Sequence, residues 1–320
     1  MTPTTWELLL PAEINPSGPE RISNFTTITS IDKYKDRDAL LEDIDRFNAI
    51  ITRTDRIDRE LIKRASNLEI ISKHGVGVDN IDINAATEHN VVVSNTPGVN
   101  SRAVAEHAIT LLLTVRRRIR EADAAVRSER WDDHDVATDQ VLNDTLGLFG
   151  CGDIGIKVAN LVTGLGMDCI TYDPYINEGD LPAGVSTVET PEDLFDQADA
   201  VSIHTPLTPE TRGAVGADEL ARLAPEGILI NTARAEVVNQ DALAVALEDN
   251  TLMGAGIDVF SPEPPATDHP LMEFDNVVMT PHVGAQTTEA LRDASLEAAE
   301  NVRTVYEGGI PETAINGDTF

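Results

Sequence analysis

Short apolar runs alternate with segments of helical periodicity along most of the chain. Before residue 100, four apolar runs predict strands and two amphipathic segments predict helices. The strands are predicted at residues 7–10, 49–52, 68–72 and 91–94, and the helices at 59–65 and 83–89. Strands that alternate with helices are typical of a parallel sheet, so this segment is predicted to form an α/β domain.

A second series of strands and helices starts near residue 145. A helical pattern that opens at Ser101 carries the chain into it, and a helix predicted at 287–306 is long enough to return to the first domain. We therefore expect an α/β fold of two doubly wound parallel-sheet domains. The domain at 101–287 is inserted into the one formed by 1–100 and 288–320. The later strands are predicted at residues 145–149, 169–172, 200–204, 227–231, 252–257 and 276–280.

A G-x-G-x-x-G motif, made by Gly150, Gly152 and Gly155, follows the strand at 145–149. Gly150 makes the tight turn, Gly152 lets backbone approach a pyrophosphate, and Gly155 lets the helix pack on its strand. Asp173, eighteen residues after Gly155, fits the acid that binds the ribose hydroxyl. The inserted domain is thus predicted to be a Rossmann NAD-binding domain, and the other a flavodoxin-like substrate domain. NAD is favoured over NADP because this carboxylate would repel a 2′-phosphate.

Acidic residues outnumber basic ones by 55 to 24, which gives a net charge of -31. Nucleic acid and anionic membranes would be repelled, so neither is expected as a partner. Because the acids are dispersed and lysine is scarce, the composition favours adaptation to concentrated intracellular salt over a merely acidic enzyme. Two cysteines, no signal-peptide pattern and no apolar run of membrane-spanning length predict a soluble cytoplasmic protein.

Three ionisable residues, Arg234, Glu263 and His282, follow predicted strands of the second domain. Ligands of open α/β sheets bind at the carboxyl ends of strands. A guanidinium binds a carboxylate or keto oxygen, an imidazole moves a hydroxyl proton, and a neighbouring carboxylate fixes the imidazole tautomer. This set suits hydride exchange between a nicotinamide and a 2-hydroxy acid.

The other histidines show no metal-ligand spacing, so they are interpreted as structural or surface residues and no metal is expected. They are His74, His89, His107, His134, His204 and His269.

Nine motifs, in order along the chain, resemble the D-isomer-specific 2-hydroxyacid dehydrogenase family. The resemblance implies NAD-dependent interconversion of D-2-hydroxy and 2-keto acids, in which Arg234 binds substrate, His282 is the proton donor and Glu263 pairs with His282. The motifs are H-G-V-G-V-D-N at 74–80, N-T-P-G-V-N at 95–100, A-V-A-E-H at 103–107, the glycine loop, Y-D-P at 172–174, H-T-P-L at 204–207, N-T-A-R at 231–234, D-V-F at 258–260 and T-P-H at 280–282.

The resemblance implies further contacts. Asp258 would bind the nicotinamide carboxamide, and the backbone amides of Val76 and Gly77 would hold the substrate carboxylate, with domain closure before hydride transfer. A homodimer formed through residues 101–130 follows from the same analogy. The remaining cofactor contacts implied are Asp153, Ile154, Thr205, Pro206, Thr232, Ala233, Arg234, His282 and Gly284.

Two positions distinguish the chain within this family. Ala235 stands where the family commonly has Gly, which questions the geometry of that loop. Glu263 stands where the formate dehydrogenase branch usually has Gln, which argues against that branch.

Residues 51–175 look most like the phosphoglycerate dehydrogenase branch, which places a basic residue near the substrate phosphate at the position of Arg53. The alternative is a glyoxylate or hydroxypyruvate reductase. A different class, an NAD-sensing interaction protein similar to the corepressors built on this fold, is disfavoured by the charge and by the lack of disordered extensions.

Overall fold

The computed structural model describes residues 5–129, 131, 137–223 and 226–320. His134 therefore lies outside the described residues. The chain divides into two compact units, Met1–Asn100 with Gln286–Phe320 (unit 1) and Ser101–Ala285 (unit 2). In the described part of the chain, no helix has both the length and the apolar character needed to cross a bilayer.

Unit 1 contains a parallel sheet with the strand order β2-β1-β3-β4-β5, which is the flavodoxin-like order. Strands β3, β4 and β5 are buried along their whole length, as expected for a parallel sheet covered on both faces. The strands are β1 Trp6–Leu10, β2 Thr26–Ser30, β3 Ala49–Thr52, β4 Ile70–Lys73 and β5 Val92–Ser94, and the helices that precede residue 100 are α1 Ser17–Ile22, α2 Arg37–Asp43, α3 Arg59–Arg64 and α4 Ile83–Glu88.

Unit 2 contains a parallel sheet with the strand order β12-β11-β10-β9-β6-β7-β8, the Rossmann order with one further strand. The predicted α/β fold with two doubly wound parallel sheets is confirmed. The strands are β6 Thr145–Phe149, β7 Asp168–Tyr172, β8 Val185–Thr187, β9 Ala200–Ile203, β10 Ile228–Asn231, β11 Gly254–Ile257 and β12 Val277–Met279, and the helices are α5 Ser101–Arg116, α6 Ile119–Arg127, α7 Asp153–Gly164, α8 Pro191–Gln197, α9 Ala217–Arg222 and α10 Gln240–Glu248.

The last helix, α11 (Thr288–Tyr306), belongs to unit 1 and begins where Thr287 caps it by accepting from the Ala290 amide. Small residues at a spacing of four, including Ala290, Ala294 and Ala298, form its buried face. A Cβ on Gly18 would lie 2.1 Å from the Ser295 carbonyl oxygen, so only glycine allows α1 to pack this closely on α11.

Two strands, β2 and β8, are absent from the sequence prediction. Both are sheet edges whose side chains are largely exposed. An edge strand needs no continuous apolar run, and the sequence prediction of strands depends on such runs. The Thr- and Ser-containing segments of β2 and β8 therefore escape it.

The helical pattern that opens at Ser101 is two helices in the structure. It breaks at Arg118, whose φ of 47° lies in the left-handed region, and α6 then starts at Ile119. The left-handed residue redirects the chain, so the helical pattern is divided between α5 and α6.

Glycines on β11 let α5 lie close to the sheet of unit 2. A Cβ on Gly256 would lie 2.8 Å from Leu111 Cβ, and one on Gly254 would lie 2.9 Å from Val115 Cγ1. These contacts are too short for any larger residue, so the two alternate glycines fix the distance between α5 and the strand.

A buried ion pair ties the end of α5 to the segment before β6. Arg116 is only 6% exposed, and its guanidinium contacts the carboxylate of Asp144. The same guanidinium approaches the Glu226 carbonyl oxygen at 3.5 Å. Its charge is therefore balanced within the fold by a single carboxylate among the described residues.

Asp144→Ala should lower the free energy of unfolding by about 3 kcal/mol, because it leaves a buried guanidinium without a counter-charge. Chemical denaturation in molar KCl measures the change. The matched control is Asp123→Ala, which removes the carboxylate of the exposed Arg127–Asp123 pair and should leave the midpoint unchanged. Equal midpoints for the two variants would contradict the prediction.

Candidate active site

The glycine loop leaves β6 at the point where the strand order of unit 2 reverses, between β6 and β9. Gly150 has φ +95°, and a Cβ there would lie 2.9 Å from the Thr205 backbone nitrogen. A Cβ on Gly155 would lie 2.7 Å from the Gly150 carbonyl oxygen. Each of the two glycines is therefore required by a close approach of backbone.

The space in front of α7 is open. A Cβ on Gly152 would meet no described atom within 4 Å, and this residue caps α7 without a side-chain hydrogen bond. The amides of the first turn, at Asp153 and Ile154, therefore face a region that a pyrophosphate can fill. The residues present fit a dinucleotide.

Asp173 lies at the end of β7 beside the glycine loop. Its Oδ2 accepts a hydrogen bond of 2.8 Å from the Cys151 amide, and its Oδ1 accepts one of 2.9 Å from the Tyr175 amide. Two backbone donors thus hold the carboxylate in a fixed orientation, as a ribose-binding acid requires.

The loops after β9 and β10 carry the next predicted contacts. Thr205 is half-buried and Pro206 exposed, whereas Thr232 is buried and its Oγ1 has no partner among the described atoms. A buried hydroxyl without a partner is costly, and a bound ligand would satisfy it. Ala233 lies next to it in the same turn.

Asn231 holds the turn that presents Arg234. Its Oδ1 accepts from the Ala233 amide at 3.0 Å, and its Nδ2 donates to the Arg234 carbonyl at 2.9 Å. The guanidinium is half-buried and donates to the Ala233 carbonyl at 2.7 Å. Ala235 begins a 3₁₀ turn, a conformation open to any residue, so the position does not need glycine.

The structure brings His282 and Glu263 together. His282 Nδ1 lies 2.8 Å from Glu263 Oε2, and Glu263 Oε1 accepts from the Phe260 amide at 3.0 Å. Both side chains are partly exposed, 49% and 38%. The carboxylate is thus anchored on one oxygen and paired with the imidazole through the other.

His282 has a φ of 53°, in the left-handed region that non-glycine residues seldom adopt. Its amide donates to the carbonyl oxygens of Asp258 and Thr280, at 2.8 and 3.1 Å. A costly backbone conformation that the surroundings hold in place is common at functional sites.

Asp258 lies at the end of β11 and is 1% exposed. Its carboxylate accepts from Thr280 Oγ1 at 2.6 Å and from the amides of Val283 and Gly284 at 2.9 and 2.8 Å. Burial acts to raise the pKa of Asp258, but these bonds and one from His107 outweigh it and hold the pKa below its ordinary value. The carboxylate thus organises the His282 loop, and its contact with nicotinamide stays a prediction.

Gly284 is crowded by the chain itself. A Cβ there would lie 3.0 Å from Asp258 Oδ2 and 3.4 Å from His107 Cδ2. A side chain at this position would require both neighbours to shift by a few tenths of an ångström, and the cofactor contact implied for Gly284 is likewise a prediction.

In unit 1, the predicted substrate contacts follow the neighbouring strands β3 and β4. The Arg53 carbonyl accepts from the Lys73 ammonium, and the Val76 carbonyl accepts from Asn95 Nδ2 at 2.9 Å. Val76 is 41% exposed and Gly77 half-buried. Both loops are therefore tied to the sheet by buried polar side chains.

Comparisons with known proteins identify the family. Residues 109–284 match the model described as D-isomer specific 2-hydroxyacid dehydrogenase, NAD binding domain. This chain belongs to the D-isomer specific 2-hydroxyacid dehydrogenase family. The resemblance inferred from the motifs is confirmed, and so is the expectation of a nicotinamide cofactor.

The relatives differ in the substrates they are named for. A glyoxylate reductase of Thermococcus litoralis is 38% identical over 328 aligned positions, which cover 98% of each chain. A D-3-phosphoglycerate dehydrogenase of Archaeoglobus fulgidus is 36% identical over 282 residues, 88% of this chain and 53% of its own length. The chain spans about half the length of the phosphoglycerate dehydrogenases it matches.

Solved structures agree with the fold. A protein of Thermus thermophilus superposes with a TM-score of 0.88 at 32% identity, covering 97% of this chain and 99% of that one. An NADPH-dependent glyoxylate/hydroxypyruvate reductase of Sinorhizobium meliloti, in complex with NADP and malonate, gives 0.88 at 30% identity, covering 99% and 98%.

Two histidines of unit 2 are half-buried and contact side chains of the fold, as structural residues do. His107 has 18% of its side chain exposed and contacts Thr280 Oγ1. His204 has Nε2 2.8 Å from Ser202 Oγ, and its buried Nδ1 has no partner in the described part of the chain. Among described residues, no three His, Cys, Asp or Glu side chains form a group that could hold a metal.

Burial lowers the pKa of His204 to about 4 from an ordinary value of 6.5. In the unfolded chain the ring takes up a proton as the pH falls below that ordinary value, whereas in the folded chain it stays neutral. Stability is therefore lost as the pH falls, by about 2 kcal/mol between pH 7 and pH 5 from this residue.

His204→Gln should abolish this part of the pH dependence. Denaturation of both proteins at pH 7 and pH 5 measures it, since all other titrating groups contribute equally to the two. A loss of stability that is the same in the variant and in the unmodified protein would show that His204 does not carry the effect.

Proposed function

We propose that this protein is an NAD-dependent D-2-hydroxyacid dehydrogenase that works as a 2-keto acid reductase in the reverse direction. The observation that carries the proposal is the 2.8 Å contact between His282 Nδ1 and Glu263 Oε2, at the same edge of the sheet as Arg234. An acid–base imidazole paired with a carboxylate, at the same sheet edge as a guanidinium, is the set that this reaction needs.

Each of the three candidate residues has a separate role in the proposed reaction. Arg234 binds the carboxylate or keto oxygen of the substrate. His282 exchanges a proton with the substrate oxygen through Nε2, because Nδ1 faces Glu263. In the reductive direction the imidazolium gives up this proton to the keto oxygen, and Glu263 stabilises the imidazolium beforehand. The nicotinamide, when bound, supplies or accepts the hydride.

The cofactor would be held by the glycine loop, the first turn of α7 and Asp173. Thr205, Pro206 and the turn at 232–234 lie after the strands on the other side of the switch point, where dinucleotides bind in open sheets. In unit 1, Arg53 and the amides of Val76 and Gly77 stay predicted substrate contacts.

The cellular setting is part of the proposal. Two exposed apolar side chains of α6, Ile119 and Val126, support a homodimer formed through this region. Two free, buried cysteines support a reducing cytoplasm. The net charge of -31 supports function in concentrated salt.

The activity is tested by NADH oxidation in molar KCl with phosphohydroxypyruvate, hydroxypyruvate, glyoxylate and pyruvate. His282→Asn should lower kcat by about 10²- to 10⁴-fold, the usual contribution of a general acid. Asparagine tolerates the left-handed backbone, so the fold should persist. His89→Asn, at the C-cap of α4 in unit 1, is the matched control and should keep full activity.

The substrate panel separates the candidate functions. Preference for phosphohydroxypyruvate supports the phosphoglycerate dehydrogenase branch and a phosphate-binding role for Arg53. Preference for glyoxylate or hydroxypyruvate, as the name of the Thermococcus relative suggests, supports the alternative. Binding of NADH without turnover of any substrate would contradict the proposal and favour an NAD-sensing protein.

NADH should be preferred to NADPH, because the fixed carboxylate of Asp173 would face the 2′-phosphate. Asp173→Asn keeps a side-chain oxygen for one of the two backbone donors and removes the charge, so it should reduce the preference for NADH over NADPH in kcat/KM by about tenfold or more. Asp168→Asn, at the opposite end of β7, should leave the preference unchanged. Equal use of both cofactors by the unmodified protein would overturn this prediction.

A further inference from the structure

His107 joins α5 to the loop that follows β12. Its Nε2 lies 2.9 Å from Thr280 Oγ1 and 3.4 Å from Asp258 Oδ1. The Thr280 hydroxyl donates its only hydrogen to Asp258 Oδ1, at 2.6 Å. Thr280 must therefore accept from His107, which places a proton on Nε2 of this imidazole.

Asp258 connects these two residues to the candidate acid–base histidine. Its carboxylate accepts from the amides of Val283 and Gly284, and its backbone carbonyl accepts from the His282 amide at 2.8 Å. All these bonds fix the backbone on either side of the left-handed residue. The orientation of the His282 ring toward Glu263 depends on that backbone.

The position of His107 is itself rigid. Leu111 lies one helical turn further along the same face of α5 and packs against Gly256 of β11, where an added Cβ would lie only 2.8 Å from Leu111 Cβ. Close packing at this point leaves α5 no room to shift. His107 therefore donates its Nε2–H from a helix that cannot move. The loop that receives this bond contains His282, whose left-handed backbone is costly for a non-glycine residue.

We propose that His107 is a positioning residue for the His282–Glu263 pair, acting through Thr280 and Asp258. Its kinetic consequence rests on the proposed function, since only then does the orientation of His282 set a rate. His107 touches neither His282 nor Glu263 in the contacts described above, so its effect is transmitted through the loop.

Two pairs of variants test the kinetic part. His107→Leu removes the Nε2–H donor, and Thr280→Val removes the hydroxyl that accepts from His107 and donates to Asp258. Each should lower kcat about tenfold, equivalent to about 1.4 kcal/mol in the barrier, with the KM for NADH changed less than about twofold. His107→Gln and Thr280→Ser restore a donor and a hydroxyl, and each should recover most of the loss.

A spectroscopic measurement tests the positioning without any substrate. In protein labelled with ¹⁵N-histidine, neutral His282 should carry its proton on Nδ1, because this atom faces Glu263 Oε2. His282→Asn assigns the signal. In His107→Leu the signal should move toward the Nε2–H form that an unpaired imidazole favours in water, and His107→Gln should restore it.

The outcomes separate this inference from the proposed function. A His282 tautomer that is unchanged in His107→Leu overturns the inference even if the enzyme is active. A parallel fall in kcat, NADH affinity and unfolding midpoint, without rescue by Gln, also overturns it, because it indicates a merely structural role. A shifted tautomer in a protein that turns over no substrate supports the positioning and contradicts the proposed function.

Discussion

The buried carboxylate of Asp258 is the constraint on which the arrangement of the candidate site depends. A charge that is 1% exposed must be matched by donors, and the chain supplies the hydroxyl of Thr280 and the amides of Val283 and Gly284. The imidazole of His107 donates to Thr280 and lies 3.4 Å from the same carboxylate. To reach the carboxylate, the backbone after β12 turns sharply, and the left-handed conformation of His282 is part of that turn. The geometry that pairs the imidazole with Glu263 therefore follows from the need to satisfy one acid.

The glycines determine how closely the elements can gather around that acid. Gly254 and Gly256 let α5 lie on β11, Gly284 lets the last loop pass over Asp258, and Gly150 lets the nucleotide loop lie against the end of β9. At each of these positions, another part of the chain occupies the space that a side chain would need. The candidate acid–base residues and the glycine loop consequently follow strand ends whose spacing the sheet fixes.

Much of this could be predicted from the sequence because the signals are local. Fully buried strands such as β3 and β10 appear as apolar runs, and the motifs around Gly150, Arg234 and His282 name the candidate residues by chemistry and spacing. The edge strands could not be predicted, since their half-exposed side chains carry no apolar pattern. The contact between His107 and Thr280 could not be predicted for another reason, since it joins residues 173 positions apart. It also depends on how closely α5 packs on β11, which Gly254 and Gly256 determine. Alternate glycines inside a strand were the available signal.

The acidity of the chain bears on how an anionic substrate reaches these residues. A net charge of -31 repels carboxylates at low ionic strength, because the fields of many dispersed acids add over distances longer than any single contact. At molar salt the screening length falls to about 3 Å, so only groups in direct contact with the substrate still act on it. In the proposed role of Arg234, its guanidinium, half-buried and held by the Asn231 turn, would then attract a carboxylate without opposition from the surface. Under the proposed function, concentrated salt would thus allow a strongly acidic protein to bind acids, through a few fixed cations whose local geometry decides the affinity.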